Sequence, residues 1–357
     1  RGEARSTVRA CVMREGRLEV DDVADPRPEV GQMVVRTLAC GICGSDLHFL
    51  RHGGTMVAMT DELKPSMGAS AMTMAPIDLS RDIVMGHEFC GEVVELGPDT
   101  VGPRPGARVV SVPVLLSSTG LHQLAYNNDY PGGYAEYMLL SAPLALEVPN
   151  GLDPRHAALT EPLAVGIHAV ARSGATARDG VVVVGCGPVG LAVIAALRAV
   201  GVESIVAADL SPARRAMART LGATEVVDPA EEGVVEAWRR VDGRRPLVAF
   251  EAVGVPGMLQ QLLHDVPPGT RLGVVGVCME PDRILPYFAI VKELSVHFAL
   301  AYGADEFAGA LRAIAEGDID ASPMITGTVD LDGVPGAFEA LARPDEHVKI
   351  LVEPVST

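Results

Sequence analysis

Three things are scarce in this sequence: long apolar runs, basic residues and paired cysteines. No stretch approaches the ~18 uncharged apolar residues of a transmembrane helix, and the first residues, RGEARSTVRA, lack the apolar core of a secretion signal. We therefore expect a cytoplasmic protein without a membrane span. The 29 basic against 46 acidic side chains leave a formal net charge of -17, which repels nucleic acid and anionic lipid.

The six cysteines are spread through the chain, and only two of them are close together: Cys11, Cys40, Cys43, Cys90, Cys186 and Cys278. Disulfide frameworks are typical of small chains with regularly spaced cysteines, which this chain is not. We therefore expect reduced thiols and a bound metal.

The length and pattern of the chain predict two domains. At 357 residues the chain exceeds the ~250 to 300 residues at which a single core usually stops growing. Short β-branched stretches in the first 150 residues predict an all-β, barrel-like fold, interrupted by a Met-rich inserted loop at 52–82. Between about 165 and 300, strands alternate with Ala-rich helices, which predicts a doubly wound parallel sheet, with a generic α/β domain as the alternative. The tail ends in a strand-like KILVEP and is expected to return to the first domain.

A glycine-rich turn between a strand and a helix predicts a dinucleotide site. The β-branched run Val181–Val184 leads directly into the turn, whose candidate cofactor-binding residues are Gly185, Gly187, Pro188, Val189 and Gly190. In this pattern the first glycine permits the tight turn, the second lets the backbone approach a pyrophosphate, and the third lets helix and strand pack closely. The helix N-terminus then offers unpaired N–H groups to the phosphates.

Asp209 ends the next predicted strand, nineteen residues after Gly190, where a carboxylate would bind the adenosine ribose. This position favours NAD, because a carboxylate repels the 2'-phosphate of NADP. Two alternatives stay open: Asp209 could cap the helix at Ser211, and Arg214 with Arg215 could accept NADP rather than lie on a solvated helix face.

Cysteine, histidine and carboxylate residues cluster in three short motifs: CGICGSDLH at 40–48, GHE at 86–88 and Glu161-Pro162. Thiolate, imidazole and carboxylate are the usual zinc ligands, and three protein ligands plus water define a catalytic site. The Cys40/Cys43 pair could instead be a redox motif, but no thioredoxin-like βαβ pattern surrounds it.

These motifs, together with EPLAVGIHA and VGCGPVG in the same order, resemble the zinc-dependent medium-chain dehydrogenases, most closely their polyol, sorbitol and butanediol branch. The resemblance implies an α/β protein with a GroES-like catalytic domain, residues 1–164 and 302–357, and a Rossmann NAD-binding domain, residues 165–301. It places the active site in the cleft between them. It also implies a homodimer or homotetramer that pairs its last Rossmann strand, LSVHFAL.

The resemblance implies a role for each motif residue at the metal. Cys43 and His87 would bind zinc, and Glu161 would take the third position. Glu88 is the open case, because in the polyol branch this carboxylate can approach zinc while the third-position glutamate acts through water. Asp46 would orient the imidazole ligand. Cys40 is expected to be a small buried residue.

The resemblance also implies a proton relay in which Ser45 takes the alcohol proton and His48 passes it toward solvent. Lys349 would lie near the cofactor pyrophosphate. The region from 90 to 135 contains a single cysteine, Cys90, so we expect one catalytic zinc and no structural zinc. The predicted reaction is hydride transfer between a small secondary alcohol or polyol, or its ketone, and NAD. A zinc-free quinone or enoyl reductase and a silent NAD-binding protein are the alternatives.

Overall fold

A computed structural model describes residues 6–68, 76–343 and 345–355, which divide into two compact units. The first comprises the described residues of Arg1–Glu161, Ile325–Arg343 and Lys349–Thr357. The second comprises Pro162–Met324 and the described residues of Pro344–Val348. None of the helices in these ranges is long and apolar enough to cross a membrane.

The first unit is mainly β. Its strands are β1 Thr7–Arg14, β2 Arg17–Ala24, β3 Gln32–Gly41, β4 Glu88–Leu96, β5 Arg108–Ser111, β6 Val114–Ser117, β7 Gly120–Gln123, β8 Tyr137–Ser141, β9 Ala145–Glu147, β16 Ile325–Val329 and β17 Lys349–Val352. Its helices are α1 Gly44–Leu63, α2 Pro154–Ala158 and α10 Val334–Leu341. A seven-stranded sheet runs β16-β17-β3-β4-β5-β9, with β8 also paired to β3, and β1-β2 and β6-β7 form separate hairpins.

Three neighbouring strands of this sheet position the polar residues discussed below. Strand β17 pairs antiparallel with β3, so that Leu351 faces Gly41, and β3 pairs antiparallel with β4, so that Gly41 faces Glu88. The start of β17, the end of β3 and the start of β4 therefore meet at one end of the sheet. The strands are rich in buried apolar side chains, which places this end beside the core of the unit.

The Met-rich segment is largely helical up to residue 63, which corrects the prediction of a loop. Helix α1 begins after Cys43, where the Asp46 side chain accepts the Cys43 N–H at 3.0 Å and so caps the helix. The helix has a kink at His52 and continues to Leu63. Because polar and small residues surround the methionines, the helix has a weak apolar face and its periodicity does not stand out in the sequence. The predicted segment also includes 69–75, which lie outside the described residues.

The second unit contains a parallel six-stranded sheet. Its strands are β10 Gly180–Val184, β11 Ser204–Ala208, β12 Glu225–Val227, β13 Leu247–Glu251, β14 Arg271–Val274 and β15 Ser295–Phe298. Its helices are α3 Thr160–Ser173, which begins two residues before the unit does, α4 Pro188–Ala199, α5 Pro212–Thr220, α6 Val234–Val241, α7 Met258–Asp265, α8 Pro286–Val291 and α9 Ala304–Glu316. The order β12-β11-β10-β13-β14-β15 is that of a Rossmann fold, in which the first strand lies centrally.

The second unit extends further along the chain than the residue 301 we expected. Helix α9 belongs to it, and the boundary falls after Met324. Glu306 of α9 lies 2.9 Å from Nδ1 of His168 in α3, a contact between elements far apart in sequence. The mixed pattern after Tyr302 thus contains one more helix of this unit before the chain returns to the first.

Candidate functional site

Cys43, His87 and Glu88 come together in the first unit. Cys43 precedes α1, and His87 and Glu88 lie where the chain enters β4. One potential ligand atom from each of the three residues lies within 4.8 Å of the other two. His87 and Glu88 are buried and Cys43 is partly buried. A thiol, an imidazole and a carboxylate gathered in this way form a donor set that suits zinc.

Glu88 requires a glycine opposite it on β3. A Cβ at Gly41 would overlap the Glu88 carboxylate, so a larger residue there would displace this side chain. Gly86 plays a related part, because its φ of +98° favours glycine and a Cβ would meet the Tyr134 ring at 2.7 Å. Cys40 is fully buried against this same turn, as expected for a small packing residue.

Asp46 is a fully buried carboxylate with donors around both oxygens. Its Oδ2 accepts the N–H of Cys43 at 3.0 Å and the hydroxyl of Tyr134 at 2.7 Å. Its Oδ1 accepts the hydroxyl of Tyr126 at 2.8 Å and lies 3.4 Å from Nδ1 of His87. Asp46 thus holds the start of α1 and faces the His87 ring, as the motif predicted, although the last distance is long for a hydrogen bond.

The two tyrosines carry no motif in the sequence and were not predicted. Tyr134 is fully buried, and Tyr126 lies with its ring centroid 5.7 Å from that of His87. The one feature of the sequence that could have indicated them is the local composition: in a chain poor in aromatic residues, four of the six tyrosines fall between residues 126 and 137.

Lys349 has a partner that the sequence did not predict. We expected this residue near a cofactor pyrophosphate, and its side chain is fully buried in the first unit. Its Nζ donates to both carboxylate oxygens of Glu88, at 2.7 and 2.6 Å, and to the carbonyl of Ile42 at 3.1 Å. The pairing of β17 beside β3 brings the ammonium to this end of the sheet, where a carboxylate neutralises it.

Charge at this site is unevenly matched. Burial by itself would lower the pKa of Lys349, but Glu88, Cys43 and Glu161 outweigh it and hold that pKa above its usual value. Burial would also lower the pKa of His87, but Asp46 and Cys43 raise it well above the usual range. Both shifts have the same kind of cause, acidic groups packed against a buried basic side chain. Buried negative charge requires compensation, and a divalent cation supplies it.

Glu161 is buried at the start of α3 and is not one of the three clustered ligand residues. Its influence on the pKa of Lys349 places it within electrostatic reach of that ammonium. The structure therefore brings Glu88, rather than Glu161, into the group with Cys43 and His87.

Ser45 and His48 lie on the first turns of α1. They are three residues apart, so their side chains are neighbours on the helix surface. Ser45 is partly buried, and its Oγ lies 2.9 Å from the Tyr126 oxygen. The His48 side chain is exposed. The loss of hydration where it contacts the protein, together with the charges of His52 and Arg51, lowers its pKa. His48 is therefore mostly neutral at pH 7 and able to accept a proton.

The glycine turn of the second unit lies between β10 and α4. Gly185 has a φ of +95°, which favours glycine, and a Cβ at Gly190 would overlap the Gly185 carbonyl. Gly187 caps α4, Pro188 and Val189 begin it, and a Cβ at Gly187 would meet no atom within 4 Å. Gly185 thus adopts a backbone conformation that favours glycine, Gly190 lies in close contact with the Gly185 carbonyl, and Gly187 leaves the approach to the helix N-terminus open. This geometry is suited to a pyrophosphate.

Asp209 follows β11 and bonds to this turn. Its Oδ2 accepts the Cys186 N–H and its Oδ1 accepts the Ser211 N–H, both at 2.8 Å. Ser211, not Asp209, caps α5 by accepting the Arg214 N–H at 3.3 Å. Arg215 is tied to the Asp209 and Leu210 carbonyls at 2.6 and 2.8 Å.

Comparison with known proteins gives the family. Residues 29–150 match the alcohol dehydrogenase GroES-like domain, and residues 188–316 match the zinc-binding dehydrogenase domain. The chain is 35% identical to (R,R)-butanediol dehydrogenase of Bacillus subtilis (strain 168), covering 94% of this chain and 96% of that one. The chain belongs to the zinc-dependent medium-chain alcohol dehydrogenase family.

Two further relatives agree with this membership. Sorbitol dehydrogenase of Bacillus subtilis (strain 168) is 27% identical, and the match covers 97% of each chain. The crystal structure of 2R,3R-butanediol dehydrogenase from Bacillus subtilis superimposes with a TM-score of 0.82 at 31% identity, covering 98% of this chain and 100% of that one. The GroES-like and Rossmann folds expected from the sequence are confirmed. The protein is a zinc-dependent alcohol or polyol oxidoreductase.

Proposed function

We propose that Cys43, His87 and Glu88 hold one catalytic zinc ion per chain. The observation that carries this proposal is their approach within 4.8 Å, amid more acidic groups than one ammonium neutralises. Zinc at this position supplies a Lewis acid that polarises the substrate C–O group. Asp46 orients the His87 ring, and Lys349 holds the Glu88 carboxylate. Glu161 lies within electrostatic reach of the same ammonium group and would act on the metal through water.

Metal analysis by mass spectrometry tests this proposal directly. We expect one zinc per chain, and we expect alcohol oxidation to stop when a chelator removes it and to return when zinc is restored. Two zinc ions per chain would instead indicate a second, structural site. Full alcohol oxidation in a metal-free preparation would refute the zinc proposal, and metal-independent reduction of quinones or enoyl compounds would favour the reductase alternative.

Ser45 is the proposed acceptor of the alcohol proton, and His48 is the proposed exit toward solvent. Ser45 lies two residues beyond Cys43 at the start of α1, and His48 lies one turn further on the exposed surface. A positioned relay typically contributes ~100 to 10,000-fold to turnover. Replacing Ser45 by Ala should lower kcat in this range while zinc content stays at one per chain, and near-native turnover would refute the relay.

NAD is the proposed cofactor, and it supplies the hydride acceptor. The carboxylate of Asp209 lies beside the glycine turn, where it repels a 2'-phosphate. Arg215 is engaged by backbone carbonyls, so Arg214 is the neighbouring basic side chain on α5 that could instead accept a 2'-phosphate. We expect kcat/KM with NAD to exceed that with NADP. A preference for NADP would show that Arg214 outweighs the carboxylate.

The proposed substrate is a small secondary alcohol or vicinal diol. This step rests on similarity to proteins named for butanediol and sorbitol, at 35% and 27% identity. A screen of primary alcohols, secondary alcohols, 2,3-butanediol stereoisomers and polyols, with their carbonyl partners, tests it. Turnover of primary alcohols with failure of all diols and polyols would overturn the assignment.

A homodimer or homotetramer is proposed from the edge of the second unit's sheet. Among the described residues, β15 has β14 as its one strand neighbour. Phe298 and Leu300, at and beyond the end of β15, are 68% and 80% exposed, and Ile290 of α8 is 72% exposed. A second copy that pairs its own β15 about a two-fold axis would satisfy the backbone and cover these side chains. Sedimentation should show a dimer or tetramer that Leu300→Asp dissociates. A wild-type monomer would refute it.

A further inference from the structure

Tyr126 bridges two polar side chains at the start of α1. Its oxygen lies 2.8 Å from Oδ1 of Asp46 and 2.9 Å from Oγ of Ser45. Because Ser45 is the proposed proton acceptor, the direction of the hydrogen bond between the two hydroxyls decides what Ser45 can offer to a substrate.

The donors around Asp46 fix that direction. Asp46 Oδ2 already accepts the Cys43 N–H and the Tyr134 hydroxyl, so the carboxylate acts as an acceptor on both oxygens. A phenol has a single proton, and here the carboxylate is its stronger acceptor. Tyr126 therefore donates to Asp46. In the 2.9 Å contact between the two hydroxyl groups, Ser45 must therefore be the donor and the Tyr126 oxygen the acceptor.

The Tyr126 ring is held so that this geometry persists. It packs on Phe49 of α1 with ring centroids 4.9 Å apart, and on His87 at 5.7 Å. The preceding residue, Ala125, is fully buried and has a φ of +76°, a conformation that costs a non-glycine residue free energy. The Tyr126 hydroxyl is thus positioned by a strained backbone at Ala125 and by ring contacts with Phe49 and His87.

We propose that Tyr126 is a positioning residue: in the resting protein it accepts the hydrogen bond of the Ser45 hydroxyl and so leaves the Ser45 oxygen free to accept a hydrogen bond from the hydroxyl of an alcohol substrate. When the alcohol proton is then transferred to Ser45, the original Ser45 proton leaves toward His48. This inference rests on the role of Ser45 in the proposed function. Its consequence is selective binding: an alcohol can donate to Ser45, whereas a carbonyl compound has no proton to donate. Tyr126 therefore favours the alcohol over the carbonyl in the bound ground state.

The test compares Tyr126→Phe with a matched control, Tyr134→Phe. Both variants remove one hydroxyl from the Asp46 carboxylate, but the second neighbour of the Tyr134 hydroxyl is the Gly41 carbonyl, whereas that of Tyr126 is Ser45. Calorimetry on the zinc-loaded protein would measure two dissociation constants. Trifluoroisopropanol, an alcohol that resists oxidation, is titrated with NAD present, and N,N-dimethylacetamide, an unreactive carbonyl compound without an N–H group, is titrated with NADH present.

Tyr126→Phe should weaken trifluoroisopropanol binding by about tenfold, the loss of one oriented hydrogen bond, and change dimethylacetamide binding by less than about twofold. Tyr134→Phe should change both constants by less than about twofold, since one net hydrogen bond away from the ligand is not transmitted to it. In a Ser45→Ala background, Tyr126→Phe should cause no further loss, because the residue it positions is already gone.

Equal effects of Tyr126→Phe and Tyr134→Phe would overturn the proposal, because the hydroxyl would then act through Asp46. Loss of zinc from Tyr126→Phe, or an undiminished effect in the Ser45→Ala background, would overturn it as well. Failure of the proposed function is a separate result. In that case the unmodified protein would lack zinc or fail to oxidise any alcohol, whatever the tyrosine variants bind.

Discussion

The metal site of the first unit and the glycine turn of the second are built in opposite ways. The turn is local: Gly185, Gly187 and Gly190 lie within six residues, and Asp209 arrives from the adjacent parallel strand. The metal site gathers Cys43, His87 and Lys349 from three distant parts of the chain. The comparison teaches that a short motif specifies backbone shape reliably, whereas the polar contacts of a distributed site depend on strand order.

The two sites also differ in what would disturb them. Steric fit governs the turn, where an added Cβ at Gly190 meets backbone. Charge governs the metal site, where acidic side chains exceed the single ammonium. Substitutions at one site should therefore leave the function of the other intact, and the following experiments test that separation.

The largest effect is expected from Cys43→Ala. Loss of the thiolate should remove zinc and reduce alcohol oxidation by at least about 1,000-fold, since a bound metal contributes several kcal/mol. Binding of NAD to the turn should persist within about threefold, because the turn makes no use of the metal. The matched control is Cys40→Ala, three residues upstream and buried, which should retain zinc. Zinc retained by the Cys43 variant would contradict the ligand set.

Lys349→Met comes next, because it leaves the Glu88 carboxylate buried without its cation. Breaking a buried pair costs about 3 to 5 kcal/mol, which should appear as faster amide exchange in β3 and β4 of the zinc-free protein. Arg155→Met breaks an exposed pair with Glu353 in the same unit and should cost less than about 1 kcal/mol.

The same variant also tests the role first expected for Lys349. Unchanged NAD affinity in Lys349→Met would be consistent with its place beside Glu88. Weaker NAD binding at native stability would restore the pyrophosphate role and break the separation of the two sites.

The smallest effects are expected at the turn, from Gly187→Ala and Gly190→Ala. A Cβ at Gly187 meets nothing within 4 Å, so that variant should keep its melting temperature yet bind NAD about tenfold more weakly, because the methyl group occupies the phosphate approach. Gly190→Ala should lose both stability and NAD affinity, because its Cβ overlaps the Gly185 carbonyl. Calorimetry and thermal melting distinguish the two, and identical behaviour would contradict this reading of the glycines.

Sequence reasoning identified Cys43, His87 and Glu88 as candidates but could not choose between Glu88 and Glu161. The motifs identify which ligand atoms the chain offers, and strand pairing determines which of these atoms come together. Gly41 stands opposite Glu88 in the β3–β4 ladder, and this register brings Glu88 to the cluster. The prediction of a loop in the Met-rich segment was wrong up to residue 63, because the pattern of polar and apolar residues there does not show where α1 ends.

The sequence by itself determined the strand-turn-helix of the dinucleotide site, the identities of the metal-ligand candidates and the family, because each depends on residue types at short fixed spacings. Only the tertiary structure decided that Lys349 bonds to Glu88, and that Tyr126 and Tyr134 share Asp46. The physical reason is that hydrogen bonds and ion pairs act over about 3 Å. Contacts so short between residues that are 80, 88 and 261 positions apart are fixed by sheet order and packing, not by local spacing.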